Sequence, residues 1–340
     1  MTLLLASILL FTALNLAVGS VAIPIEVVVK IVNPLGSGLP KGGMGEIWTN
    51  IILQTRLPQT LTAMACGATL AVAGLEMQTV FRNPLAGPSV LGISSAASLG
   101  VAFVVLLGGA VGGGALLRFG LVGNAAVTLA AICGAMVVMG IIVLLARRVG
   151  GNVTLLVTGV LIGYIASAIT GVLKYFASEE DIRAYVIWGL GSFSRVTGGQ
   201  VYVFVGLAAV LLPLSMLLAK PLNMLLLGEM YAQNLGLDVR RARMLIIASA
   251  GTLTAIATAY CGPIMFLGLA VPHICRGLFN TNNHWTLLPA TMACGASLAL
   301  LCNLIARMPG LEGALPVNSV TSLIGAPIAL SILLRRKKAI

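Results

Sequence analysis

Long runs of apolar residues, each closed by a short polar turn or by glycine and proline, fill almost the whole chain. A transmembrane helix needs roughly 20 such residues. The pattern predicts spans near residues 2–21, 57–80, 90–107, 122–145, 153–176, 201–218, 244–261, 264–279, 287–305 and 320–334, about ten in all. None shows the alternation of a lipid-facing barrel strand, so the expected class is an all-α polytopic membrane protein. Residues 1–340 are read as one transmembrane domain. The first span has no basic residues ahead of it and is expected to be a retained helix rather than a cleaved leader. The stretch from Pro24 to Asn50 reads as a polar connection.

One punctuation stands out. Between Gly74 and Gly100 the chain runs from the end of one apolar helix, through Arg82-Asn83-Pro84-Leu85-Ala86-Gly87-Pro88, into a helix that begins with small residues. Each proline removes an amide donor and clashes with the carbonyl four residues back, so two prolines four apart enforce a turn. Ser94, Ser95, Ala96, Ala97, Ser98 and Gly100 then offer a face with little bulk, against which another helix can pack closely in lipid. Such a hairpin suits an element lining a path better than a peripheral one.

Composition sharpens the class. Of 340 residues 59% are apolar and only 9% charged, against about 25% charged in soluble domains. Forty glycines fit close helix packing. The net charge of +11 would suggest nucleic acid in a soluble protein; here it is read as Lys and Arg gathered in turns on one side, so no nucleic-acid partner is expected. With both termini cytoplasmic, that side holds most of these residues, including the tail Arg335, Arg336, Lys337 and Lys338. The six cysteines fall in or beside apolar runs without a C-x-x-C pair and are read as small buried residues, not metal ligands or disulfides. Gly36 to Gly43 superficially resembles a phosphate loop, but Lys41 follows a proline and no Ser or Thr comes after it. No Walker A lysine occurs elsewhere, so the chain is expected to be non-catalytic and to carry no cofactor.

The octapeptides Met64-Ala-Cys-Gly-Ala-Thr-Leu-Ala71 and Met292-Ala-Cys-Gly-Ala-Ser-Leu-Ala299 are nearly identical. They are consistent either with internal pseudosymmetry or with two converged packing faces. Between Lys220 and Asp238, Pro221 and Gly228 predict two helices too short to cross a bilayer. Their apolar side chains, from Met224 to Leu235, would need a cytoplasmic partner or the membrane surface as cover.

These motifs, taken in order, resemble one family. Arg56-Leu-Pro, Gly74 to Gln78, Arg82-Asn-Pro-Leu-Ala-Gly-Pro-Ser-Val-Leu-Gly-Ile-Ser-Ser95, Trp188-Gly-Leu-Gly-Ser192, Gly228-Glu with Ala232 and Leu235-Gly236, Gly262 to Arg276 with its Val-Pro-His-Ile block, Leu315-Pro-Val317 and Ile324-Gly-Ala-Pro327 look like the FecCD-type permeases. These are the membrane subunits of type II ABC importers for iron-siderophores, haem and cobalamin. The resemblance implies a cobalamin-importer-like fold, a homodimer in a bacterial inner membrane, and inward passage of a bulky metal chelate by alternating access. It implies two cytosolic ATPase subunits, which bind the ATP and Mg, docked on residues 222–237 through Leu227, Gly228, Glu229, Ala232, Leu235 and Gly236. It further implies gates at Asn83, Pro84 and Leu85 and at Asn152, Val153 and Thr154, with residues 158–170 lining the path. Arg56 and Arg307 would anchor an extracytoplasmic binding protein, unless both simply snorkel at helix ends. Membrane lipid is the remaining expected partner.

The chain departs from the family pattern at Gln59, Gly87, Asn303 and Asn318, where Arg, Asp, Asp and Gly are frequent. Glu76 is an acid within the second span, and intramembrane acids mark a pathway or a pair. It is read as a structural acid, protonated or paired at an interface, six residues from Arg82, or else as the proton or ligand site of a secondary transporter. His273 and His284 show no ligand-like placement, and Asp181 and Asp238 are expected in loops.

Overall fold

The computed structural model describes residues 1–19, 21, 23–32, 43–110, 121–148, 151–308 and 314–336. Most of the glycine-rich segment with Lys41, and also Arg118, Lys337 and Lys338, lie outside them. The elements are α1 (Thr2–Ala17), α2 (Ile25–Val32), α3 (Met44–Ile51), α4 (Leu57–Val80), α5 (Ile93–Ala110), α6 (Leu121–Arg148), α7 (Asn152–Phe176), α8 (Glu179–Gly189) and α9 (Gly199–Ser215). They continue as α10 (Ala219–Leu227), α11 (Glu229–Asn234), α12 (Val239–Cys261), α13 (Leu267–Phe279), α14 (His284–Ala306) and α15 (Val317–Arg336). No strand occurs among the described residues. Among the described residues six helical stretches are long and apolar enough to span a membrane, and four shorter apolar helices accompany them.

The layout follows from where bulk is missing. In the stretch containing α4, 89% of the most apolar window is buried, against 28% for α6 and α7 and 22% for α9 with α10. An apolar helix whose small residues run all round can be enclosed on every side, and α4 is the axis on which α9, α12, α13 and α14 pack. A Cβ added to Gly67 would stand 2.2 Å from the Gly295 carbonyl oxygen, and one on Gly295 would stand 2.4 Å from that of Gly67. Ala299 and Ala71 complete the reciprocal contact. The two octapeptides are therefore one crossing seen from both sides, between helices joined across a local twofold. Gly74 meets Gly268 of α13 in the same way, and Gly100 meets Ala130 and Gly134 of α6, the close approach expected of the small face of α5.

Two local expectations change. The connection from Pro24 to Asn50 contains α2 and α3, and α3 continues through a π-helical turn, Ile52–Arg56, into α4. The apolar positions that drive this are Val28, Ile31 and Ile52, which bury themselves with Leu16 and Ile23. Polar residues between them hid the periodicity. Residues 179–189 form α8, which opens on three acids capped by Ser178. Asp181 thus sits inside a helix and accepts from the Ser178 hydroxyl at 2.6 Å. Asp238 lies in a loop, as expected, and caps α12 by accepting from the Arg241 amide.

Candidate functional site

At the carboxyl end of α4 the chain must reverse, and Arg82 takes up the left-handed conformation with φ 46°. Each amide from Phe81 to Ala86, proline excepted, is then engaged. Phe81 donates to Met77, Arg82 to Thr79, Asn83 to Gln78 and Ala86 to the Asn83 carbonyl, while Leu85 donates to the Asn83 side chain. The turn is also bolted to two neighbouring helices. The His273 Nε2 of α13 donates to the Pro84 carbonyl at 2.9 Å, and just before the turn the Arg276 guanidinium of α13 donates to Gln78 Oε1 of α4 at 2.6 Å. From the other side, Arg82 Nη2 donates to the Leu225 carbonyl of α10 at 2.9 Å.

That last contact joins the turn to the short helices. Gly228, at φ 119°, separates α10 from α11, while Pro221 sits in the first turn of α10, where its missing amide donor costs nothing. Leu222, Leu225 and Ala232 face inward, whereas Leu227, Met230, Tyr231 and Leu235 are 62%, 79%, 69% and 60% exposed. The pair therefore presents a contiguous apolar face and is held from behind. Glu229 pairs with Arg243 of α12 at 2.6 Å. Asn223 binds the first turn of α14: its Oδ1 accepts from the His284 amide and from Nδ1, and its amide donates to Asn283. With the proton on Nδ1, His284 Nε2 accepts from the Thr79 hydroxyl of α4. Asn223 was not singled out by the sequence, although it is the lone amide within Leu222–Leu227.

The second expected gate lies at the start of α7. Gly151 caps the helix, and Val153 and Thr154 are exposed. The turn approaches α7 higher up, where Gly92, at φ 74°, lies against the backbone of Gly159 and Gly163. Any side chain at 92 would meet that backbone, so only glycine serves.

The two arginines expected at the outer surface stand together around Gly19, yet they differ. Arg56 is 1% exposed and donates to the Leu16 carbonyl at 2.7 Å, to that of Ala17 at 2.8 Å and to that of Val21. It closes the carboxyl end of α1 and offers no free fork, in contrast to both a docking anchor and a snorkelling side chain. Arg307 is half-buried, and its Nη1 has no partner among the described residues. Burial holds its pKa below the ordinary arginine value. Two of the departures from the family pattern touch: Gln59 donates to Asn303 at 3.0 Å, Asn303 donates to Asn15 at 2.8 Å, and Asn15 donates to the Phe11 and Leu300 carbonyls. A neutral chain of amides stands where the residue types of the pattern would place an ion pair.

Glu76 is fully buried and is not paired with Arg82. Its Oε1 accepts from Ser249 of α12 at 2.9 Å, and its Oε2 has no partner among the described residues. Five of the cysteines are buried and Cys133 is exposed.

Comparison with known proteins agrees with this arrangement. The FecCD transport family model matches residues 5–335. The vitamin B12 import system permease protein BtuC of Klebsiella pneumoniae subsp. pneumoniae is 38% identical over 304 residues, covering 89% of this chain and 87% of that protein. BtuC of Escherichia coli O9:H4 is 37% identical over 294 residues, covering 86% of each. A solved "metal-chelate type ABC transporter" in an "inward-facing conformation" superposes with a TM-score of 0.80 at 26% identity, over 98% of this chain and 97% of that one. The match runs through the turn, the short helices and the α4 axis alike, and the chain belongs to the FecCD transport family of ABC importer permeases.

Proposed function

We propose that this chain contributes about ten spans and forms, with a second copy of itself, the path through which an ATP-driven importer passes a bulky metal chelate from periplasm to cytoplasm. Cobalamin leads the candidates because the similar BtuC permeases are vitamin B12 import proteins; iron-siderophores and haem share the same size and metal-chelate character. The observation that carries the reading is the direct bond from Arg82, in the turn, to the carbonyl of Leu225, behind the exposed apolar face of α10 and α11. A cytosolic ATPase seated on that face, over Leu227, Gly228, Glu229, Ala232, Leu235 and Gly236, is one hydrogen bond from Asn83, Pro84 and Leu85. ATP and Mg belong to that subunit, and an extracytoplasmic binding protein supplies the ligand. Both termini then lie in the cytoplasm. Arg307, half-buried where Arg56 is enclosed, is the better docking contact, and Arg56 supports it from inside. The carrier alternative built on Glu76 gains nothing from the family match.

The test is co-expression with the cognate ATPase, reconstitution in lipid nanodiscs, and comparison of wild type with a deletion of residues 228–236. Wild type should bind the ATPase and alter its turnover, and the deletion should do neither while remaining folded. Proteoliposome uptake of radiolabelled cobalamin, a ferric siderophore and haem then identifies the cargo. If no ATPase associates with the intact chain, the reading fails.

A further inference from the structure

A groove of about 490 Å³ opens between α9 and α12 on the flank away from the α4 axis. Its walls are Leu211, Leu214, Leu217, Leu218, Pro221 and Leu245, with Ala248 beneath. Three hydroxyls border it, and all three spend their protons elsewhere: Ser215 donates to the Leu212 carbonyl, Thr252 to the Met139 sulfur and Ser249 to Glu76. The surface therefore has little to offer water and suits hydrocarbon. At one end the character reverses. Lys220 is exposed and adjoins Pro221. Arg241 is exposed and stands one turn before Leu245, on the same helix face as Leu245, Ala248 and Thr252. Arg240 adds a third exposed cation there, against the single acid Asp238, which Arg241 already meets at 3.0 Å.

We infer that this groove is a specific lipid site: one acyl chain of an anionic phospholipid lies along the leucines, and its phosphate rests on Lys220 and Arg241. The wall residues run from Leu245 to Leu253 along α12, roughly 12 Å at 1.5 Å per residue, which matches the upper part of one chain in one leaflet. Ser249, which borders the groove, is also the residue that donates to the buried Glu76. The inference stands on the groove and its rim alone and survives whatever cargo the permease carries.

The test is native mass spectrometry of the full-length protein in mild detergent, titrated with phosphatidylglycerol or with phosphatidylethanolamine of the same acyl chains. Each surface cation contributes about 1 kcal/mol toward anionic lipid, so the pair predicts about a 30-fold preference for phosphatidylglycerol. Lys220→Ala with Arg241→Ala should bring that preference to near parity; both residues are exposed, so the fold is retained. Ala248→Phe, which fills the groove, should lower retention of both lipids. A double variant that keeps the preference, or a filled groove that keeps its lipid, overturns the inference.

Discussion

The crossing of α4 and α14 makes a prediction whose size follows from the coordinates. Gly67→Ala places a methyl 2.2 Å from the Gly295 oxygen, where ordinary contact begins near 3.4 Å, so the helices must part by about 1.2 Å. A gap of that order forfeits up to half of each dispersion contact, and over some tens of contacts at ~0.15 kcal/mol each the loss is about 2 kcal/mol, within the usual range for overpacking. Gly295→Ala should cost the same by the local twofold. The double substitution should cost little more than either single one, because the second methyl, placed at 2.4 Å in the native crossing, enters a gap already opened. That implies a coupling of about 2 kcal/mol. Gly140→Ala, with no atom within 4 Å of the added carbon, should instead stabilise α6 by up to ~1 kcal/mol. The assay is reversible unfolding in mixed micelles of increasing SDS fraction, followed by circular dichroism. Singles tolerated to within about 0.5 kcal/mol, or a strictly additive double, would refute the account of the crossing.

Other consequences can be checked alongside. Arg56→Ala strips the last two carbonyls of α1 and that of Val21 beyond it of their donor and should destabilise the protein by about 3 kcal/mol in the same micelle assay, whereas Arg307→Ala should leave stability nearly unchanged and weaken capture of the binding protein in a pull-down. Asn303→Asp alone buries a charge among amides and should cost several kcal/mol; adding Gln59→Arg should recover a good part of it, which a double-mutant cycle reads directly. Met230→Glu or Tyr231→Glu, on the exposed face of α11, should abolish co-purification of the ATPase. Arg82→Ala should leave co-purification intact while lowering transport per ATP hydrolysed in proteoliposomes.

The all-helical class and the six long spans were legible because a membrane helix is read by length and hydropathy, and neither depends on neighbours. The repeated octapeptides were legible as small faces, but not as partners, because which two faces meet is a property of the assembled bundle. Arg56 shows the limit most clearly. A cation at a helix start beside a polar segment looks solvent-facing, and only the folded return of α1 supplies the carbonyls that enclose it. Glu76 was legible as a buried acid but its partner was not: Arg82 is its nearest cation in sequence, yet the left-handed backbone at 82 turns that side chain toward α10, and Ser249 of α12 meets the carboxyl instead. Asn223 and Ser249 carried no signal beyond being polar within apolar runs. The gate and coupling positions came from resemblance, and their bonds to α13 and α14 could not have been counted from the chain alone.

The turn after α4 has one more implication. With its amides engaged, its Arg82 side chain tied to α10 and its Pro84 carbonyl tied to α13, it has few soft dihedrals in which to lose a push. A displacement of α10 must then be handed to α4 as a whole, and α4 is pinned near its middle where Gly67 meets Gly295. From that pin to Val80 is roughly 20 Å and to Leu57 roughly 15 Å. The helix is thus a lever with its fulcrum inside the bilayer: ~1 Å of movement at the Arg82 end becomes ~0.8 Å in the opposite sense at Arg56. There it would be felt directly by α1, whose last carbonyls that arginine holds.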